Sequence, residues 1–145
     1  MAVPVNQGTI NRLRSGYSFV DHPELNVTAA FLGKDGITLT PQGDVTHVIP
    51  TLTGLVNSPE PYQIMEVTIH LVRSMALADR FKKQIENLST VGDSIARSDS
   101  TAMSDYQLSN TSIKSVDAIK QNGEDAGWMI HLQAVYLINS SLYAV

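Results

Sequence analysis

Residues 61–73, PYQIMEVTIHLVR, alternate between apolar and polar side chains. Alternation at period two is typical of a strand with one buried and one polar face, because successive side chains point to opposite sides of a sheet. The β-branched residues in this run favour the same pleated setting. The pattern therefore predicts a long strand. Its apolar face would consist of Met65, Val67, Ile69 and Leu71, and its polar face of Glu66, Thr68 and His70.

The hydrophobic period changes after this strand, at Ser74. Apolar side chains then recur at helical spacing, which predicts one amphipathic helix over residues 74–88. Ser74 is the expected N-cap, because its hydroxyl can accept a hydrogen bond from a free N–H of the first turn. Burial of Leu77, Phe81 and Ile85 would contribute about 5–8 kcal/mol before entropy is subtracted. The helix is therefore expected to be structural.

Most of the remaining chain shows strand and turn patterns. Residues 37–56 alternate on either side of the turn sequence PQGD, which predicts a hairpin. Residues 89–105 are rich in Ser, Thr and Asp and alternate only weakly, so they form either a mobile loop or an edge strand with a loop. Asn122-Gly123 is the best signal for a tight hairpin in the chain.

A last strand is predicted over residues 128–138, with Trp128, Ile130 and Leu132 on its core face. Together these elements indicate a mainly β (α+β) fold, a sandwich or barrel of roughly six to eight strands flanked by one helix. A length of 145 residues suits a single domain with its own core. Residues 1–14 are polar with scattered apolar positions, which predicts an extended N-terminal arm.

Composition limits the classes of function. The net charge of −4 argues against a protein that binds nucleic acid by neutralising phosphates. Charged residues make up only 17% of the chain, which hints at a surface covered by further copies of the same protein. The chain has no cysteine, so no disulfide or thiol nucleophile is possible. No apolar run approaches the length needed to span a bilayer.

No catalytic or metal-binding constellation is recognisable in the sequence. The four histidines lack ligand-type spacing, and no nucleophile elbow, zinc motif or dinucleotide fingerprint is present. Glu66 and His70 share a strand face, but four residues place them about 13 Å apart at roughly 3.3 Å per residue. We therefore interpret both as polar side chains of a surface or lumen, with no shared metal or catalytic role. We expect no enzyme activity, no metal and no cofactor.

Five stretches of the chain carry a resemblance to a known family. Four of them are NQGTINRLRSG at 6–16, DHPELNVTAAFLGKDGI at 21–37, TLTGLVNSPEPYQIMEVTIHLVRS at 51–74 and NGEDAGWMIHLQAVYLINSSLY at 122–143, and the fifth is the predicted helix, ALADRFKKQIENL. These stretches resemble the tail tube proteins of contractile-tailed bacteriophages, whose one helix lies at the position of the predicted helix. The resemblance covers most of the chain and is least familiar over residues 89–110.

This resemblance implies a structural virion protein. Six copies would close into a ring whose strands form one continuous inner barrel, and rings would stack into a hollow tube inside the contractile sheath. DNA would pass through the lumen into the host without sequence-specific binding. The implied partners are further copies of the chain and the tail sheath, tape-measure, baseplate and tail-terminator proteins. The implied location is the phage tail, assembled in the host cytoplasm.

The resemblance also implies roles for particular residues. Glu66, Thr68 and His70 are expected to line the lumen, where an acidic wall would repel phosphate and let DNA slide. The opposite assignment is open, with Glu66 as an ordinary carboxylate on the outer wall. The N-terminal arm and residues 41–60 are the candidates for contacts between rings, although Arg12 and Arg14 could equally belong to a solvated tail. The four residues expected at these contacts are Arg12, Arg14, Asp44 and Glu60.

Other classes of function remain possible. A baseplate adaptor or a secretion-type tube subunit would share the fold but differ in whether it polymerises into long tubes. A monomeric barrel that binds a small ligand belongs to a different class, and its pocket would be lined by the polar side chains around His131 and Gln133. An enzyme lacks any supporting group of residues.

Overall fold

The computed structural model describes residues 8–144, and the fold within that range is mainly β with one α-helix. The eight strands agree with the number expected from the sequence. Their bounds are Gly16–Phe19 (β1), Leu32–Gln42 (β2), Thr46–Pro50 (β3), Leu55–Pro59 (β4), Tyr62–Val72 (β5), Thr90–Arg97 (β6), Tyr106–Val116 (β7) and Gly127–Leu137 (β8), and the helix α1 spans Ala76–Asn87.

Six of these strands form an antiparallel sheet that curls into a half-barrel, in the order β1-β6-β7-β8-β5-β2. Strands β5 and β8 lie at its centre and pair along their whole length, from Tyr62 opposite Leu137 to Val72 opposite Gly127. This register is strongly specified, because a slip by one residue would turn the apolar face of β5 into solvent. The remaining strands, β3 and β4, form a separate two-stranded hairpin.

The hydrophobic core lies on one side of the sheet, and helix α1 contributes Leu77 and Phe81 to it. Phe81 of α1 is fully buried and meets Phe19 of β1 edge to face, with 6.1 Å between ring centroids. Ile85 is only half-buried and packs against the margin of the core. The other residues expected in the core are all buried, namely Met65, Val67, Ile69, Leu71, Trp128, Ile130 and Leu132.

The expected start of the helix at Ser74 was wrong. Helix α1 begins at Ala76, and its N-cap is Met75, which makes no side-chain capping bond. The cause is the end of β5, where the N–H of Met75 donates to the carbonyl of Val72 at 3.3 Å and closes a turn. Ser74 lies inside that turn and is therefore one residue too early to cap the helix.

The hairpin expected over residues 37–56 was also wrong. Strand β2 pairs with β5, so that Leu39 lies opposite Val67, while β3 pairs with β4. The true turn of the hairpin follows β3, where the N–H of Thr51 donates to the carbonyl of Gly54 at 2.8 Å. The pairing differs because the apolar side chains of β2 can pack on the core only beside β5. Pro41 fits β2 because this strand lies at the sheet edge.

Residues 89–105 contain an interior strand, which corrects the expectation of a loop or an edge strand. Strand β6 lies between β1 and β7. Its weak alternation arises because a buried serine, Ser94, replaces an apolar side chain. The hydroxyl of Ser94 lies 2.6 Å from the hydroxyls of both Tyr17 and Thr111, and all three residues are buried. Three hydrogen-bonded hydroxyls therefore occupy a buried position at which the strand pattern predicts an apolar side chain.

The Asn122-Gly123 signal does not produce a tight hairpin. Strands β7 and β8 are antiparallel neighbours, but residues 117–126 form a longer loop between them. The side-chain oxygen of Asn122 accepts from the backbone N–H groups of Glu124 and Asp125 at 2.9 and 3.1 Å. These bonds shape the tip of the loop, and the strand ends below it are paired, with Val116 opposite Ile130.

The N-terminal arm is not extended throughout. Residues 1–7 lie outside the described range. After them, Asn11 N–H donates to the carbonyl of Asp99 at 2.9 Å, and Arg12–Arg14 form a short 3-10 helix. None of the helices within residues 8–144 has the length and apolar character needed to cross a lipid bilayer.

Candidate functional site

The side of β5 opposite the core carries Glu66, Thr68 and His70, each half-buried. Because β5 lies between β2 and β8, these side chains have neighbours on both sides. We use the name polar face for the surface formed by these residues together with Thr38, Thr40, Gln42, Lys114, His131 and Gln133.

Glu66 is the centre of one hydrogen-bonded group on the polar face. Its Oε2 accepts from the side-chain amide of Gln42 at 2.7 Å, and its Oε1 accepts from Nζ of Lys114 at 2.6 Å. The bond to Lys114 and the ammonium charge lower the pKa of Glu66, and the nearby His131 lowers it further. The carboxylate therefore stays ionised and links strands β2, β5 and β7.

Thr68 and His131 form a second group. The Thr68 hydroxyl lies 3.1 Å from Nδ1 of His131, and Nε2 of His131 lies 2.8 Å from Oδ1 of Asp117. In the tautomer with hydrogen on Nε2, that group donates to the Asp117 carboxylate and Nδ1 accepts from the Thr68 hydroxyl. Both ring nitrogens are thus engaged within the protein, so this histidine is a link between strands and not a free ligand.

His70 lines a cleft of about 550 Å³ at one end of the polar face. The walls include Lys34 and Asp35 on one side and Asp117 on the other, with Met129 beside His70. Lys34 and Asp35 belong to a bulge in β2, because the four residues between Leu32 and Ile37 lie opposite a single residue of β5, His70. Among residues 8–144, no three histidine or acidic side chains are grouped so as to hold a metal ion.

The β3–β4 hairpin is the most exposed apolar element in the described part of the chain. Its residues are exposed at nearly every position, and its strands pair only with each other. A two-stranded hairpin with this much solvent contact is at best marginally stable in water. The exposed apolar side chains are Val45, Val48, Ile49, Leu52, Leu55 and Val56, and Leu52 at the tip is completely accessible.

The two edges of the sheet differ. Strand β1 is covered on its outer side, since Tyr17 and Val27 exchange backbone hydrogen bonds of 2.9 and 2.8 Å. Strand β2 has β5 on one side and no strand of the described chain on the other. The backbone groups on the outer side of β2, from Ile37 to Gln42, are therefore available to another strand.

The four residues expected at contacts between rings fall into two places. Arg12 and Arg14 lie in the short 3-10 helix before β1, where Nε of Arg14 donates to the carbonyl of Ser98 at 3.4 Å. Asp44 is exposed and Glu60 half-buried at the base of the β3–β4 hairpin. The structure thus separates the two arginines from the two acidic residues within one chain.

Sequence reasoning missed three residues that the structure makes important. Lys114 and Gln42 bind Glu66, and Asn139 binds the base of the hairpin. The first two were hidden because they lie on strands far from β5 in sequence. For Asn139 the sequence offered only the residue type, because asparagine tolerates the left-handed backbone conformation that it adopts, with φ of +49°.

Comparison of the sequence with protein-family models finds no match, and comparison with curated proteins finds none either.

Proposed function

We propose that this chain is a structural subunit that assembles with copies of itself into stacked hexameric rings, forming a tail tube of the contractile phage type through which DNA passes. The role is structural and not enzymatic. The observation that carries the proposal is the β3–β4 hairpin, which presents six large apolar side chains to solvent in the isolated chain. Soluble monomers rarely leave such a surface uncovered.

A second copy of the chain is a suitable partner for this hairpin. A head-to-tail contact between copies closes into a ring when its rotation closes, and continues as an open filament when it does not. The hairpin pairs with no strand of the main sheet and is exposed, so it is free to contact a neighbouring ring. The resemblance to tail tube proteins, whose rings stack, supports the same arrangement.

The open edge of β2 supports lateral assembly. Outer backbone groups between Ile37 and Gln42 can pair with a strand of the next copy, which would extend the sheet around a ring. In that arrangement we assign the polar face to the lumen, with Glu66, Thr68 and His70 towards the DNA. The net charge of −4 belongs to the chain as a whole, because on the polar face itself the charge of Glu66 is balanced by Lys114. The opposite assignment places Glu66 on the outer wall.

Electron microscopy tests the proposal directly. The purified protein, concentrated and negatively stained, is expected to show hollow tubes of uniform width. Single rings without stacking would favour a baseplate adaptor. Long tubes would fit both a phage tail tube and a secretion-type tube, which share this architecture. A protein that stays monomeric in sedimentation at every concentration, including in a crowding polymer, would contradict self-assembly.

A monomeric ligand-binding barrel is the second candidate function. The observation that favours it is the cleft of about 550 Å³ beside His70, which is large enough for a small molecule. His131 and Gln133, the residues first expected to line such a pocket, face the same side of the sheet, but the ring nitrogens of His131 are already engaged. A saturable ligand bound by a strictly monomeric protein would support this alternative.

If the tube proposal is correct, the remaining partners follow from the resemblance. They are the sheath around the tube, the tape-measure protein within it, and the baseplate and tail-terminator proteins at its ends. The protein would then reside in the virion after assembly in the host cytoplasm.

A further inference from the structure

The base of the β3–β4 hairpin is held by one asparagine from the other end of the chain. The side-chain amide nitrogen of Asn139 donates to the carbonyl of Val45 at 3.1 Å and to that of Glu60 at 2.7 Å. Val45 stands just before β3 and Glu60 just after β4, so both strands of the hairpin are joined through a single side chain. The backbone N–H of Glu60 also donates to the carbonyl of Val45 at 2.9 Å.

Two further bonds hold the same region. The hydroxyl of Tyr143 donates to the carbonyl of Pro61 at 2.6 Å, from the 3-10 helix Ser140–Ala144. On the opposite strand, the amide of Gln63 donates to the carbonyl of Gly43 at 2.9 Å, and Gln63 is buried. The chain segments that enter and leave the hairpin are therefore both fixed to the end of the sheet where β8 finishes and β5 begins.

The backbone of the C-terminal segment is shaped for this contact. Asn139 adopts φ of +49°, a left-handed conformation that asparagine tolerates better than most residues. Its carbonyl accepts from the N–H of Leu142 at 2.9 Å, which turns the chain back towards Pro61. The turn places the Asn139 amide and the Tyr143 hydroxyl on the same side of the hairpin base.

We propose that residues 138–144 act as a clamp that fixes the direction of the β3–β4 hairpin before assembly, so that it is ready to receive a second copy of this chain. The identity of the partner as a second copy of this chain rests on the proposed function, whereas the clamp itself does not. Holding the hairpin in advance favours binding, because a hairpin that moves freely loses conformational entropy when a partner immobilises it. The apparent dissociation constant rises in inverse proportion to the fraction of molecules with the hairpin correctly held.

The test uses two asparagines with the same backbone conformation. Asn139→Gly removes the clamping amide and keeps a residue that accepts the left-handed conformation. Asn110→Gly is the matched control, because Asn110 has φ of +56°, is exposed, and makes no side-chain hydrogen bond within residues 8–144. Tyr143→Phe is a second variant that removes one hydrogen bond without touching the backbone.

The first measurement is hydrogen exchange in dilute, monomeric protein. Asn139→Gly is expected to speed exchange of the Glu60 amide roughly tenfold, as the loss of two modest hydrogen bonds implies. Tyr143→Phe should give a smaller increase, and Asn110→Gly should leave residues 43–61 unchanged. Amides in the centre of β5 serve as the internal control for global stability. Exchange at Glu60 that is equal in Asn139→Gly and the unmodified chain would overturn the clamp.

The second measurement is the protein concentration at which tubes first form. Asn139→Gly is expected to raise it roughly tenfold, while Asn110→Gly leaves it unchanged. An unchanged assembly threshold in Asn139→Gly, despite faster hairpin exchange, would overturn the role of the clamp in assembly. If the unmodified chain forms no assemblies, the proposed function fails, but the exchange result still decides whether the clamp exists.

Discussion

Glu66 and Lys114 form an ion pair of 2.6 Å that reaches across an intervening strand. Glu66 lies on β5 and Lys114 on β7, with β8 between them. The two side chains are 27% and 48% exposed, so the pair is screened by solvent and contributes little to folding stability. Its effect is instead to hold a carboxylate at a defined place on the polar face.

Removal of Lys114 is expected to raise the pKa of Glu66 towards its ordinary value, because Lys114 is the main cause of the lowered pKa. In Lys114→Met, an NMR titration of the Glu66 carboxyl carbon should show this rise. A lowered folded-state pKa contributes stability above the unfolded pKa and loses it as the pH falls through the folded value. The stability difference between the unmodified chain and Lys114→Met should therefore shrink in acid.

The control for this experiment is Lys83→Met. Lys83 pairs with Asp79 on the exposed side of helix α1 at 3.1 Å, away from the polar face. The Lys83→Met substitution removes the same charge and should leave the pKa of Glu66 unchanged. A Glu66 pKa that is identical in all three proteins would show that the ion pair does not exist in solution.

The buried hydroxyl chain predicts an order of destabilisation. Ser94→Ala removes the middle hydroxyl and leaves Tyr17 and Thr111, both buried, without this partner. We expect a loss of about 2–4 kcal/mol in the free energy of unfolding, because buried polar groups would lose their hydrogen bonds. Tyr17→Phe leaves the Ser94–Thr111 bond intact and should cost only about 1 kcal/mol.

Urea unfolding measures both changes. Ser115→Ala, at an exposed serine of β7, should alter the free energy of unfolding by less than about 0.5 kcal/mol. Equal losses for Ser94→Ala and Tyr17→Phe would mean that Ser94 is not the centre of the chain of hydroxyls.

Charge placed at the tip of the hairpin is expected to block assembly while leaving the fold intact. Leu52 is completely exposed, so Leu52→Asp costs the monomer little, but it would bury a charge in any contact made by the hairpin. Leu88→Asp is the matched variant, at a leucine that is 54% exposed after helix α1. Electron microscopy should show tubes for Leu88→Asp only, with similar thermal unfolding of both monomers. Normal tubes from Leu52→Asp would exclude the hairpin from the interface.

The lumen assignment is testable because the chain has no cysteine. Thr68→Cys places one thiol on the polar face, and Lys83→Cys places one on the exposed side of the helix. With a bulky maleimide, assembled Thr68→Cys should react far more slowly than its own monomer, whereas Lys83→Cys should react at similar rates in both states. Fast labelling of Thr68→Cys in intact tubes would place the polar face on the outer wall.

The sequence alone determined the two faces of β5 and the single amphipathic helix, and it limited the strands to roughly six to eight. These features depend on residue periodicity, which acts over a few neighbouring positions. Periodicity placed Met65 and Ile69 on one side of the strand and Glu66 and Thr68 on the other, as the structure has them. It failed at β6, because the buried Ser94 is stabilised by Tyr17 and Thr111, partners distant in sequence.

Only the tertiary structure decided which strands pair and which surfaces remain uncovered. The choice of β5 over β3 as the partner of β2 depends on a shared core, which no local pattern encodes. The contacts of Glu66 with Lys114 and of Asn139 with Val45 join residues 48 and 94 positions apart in the chain. These groups meet only after distant strands have paired, so their sequence positions give no sign of the contact.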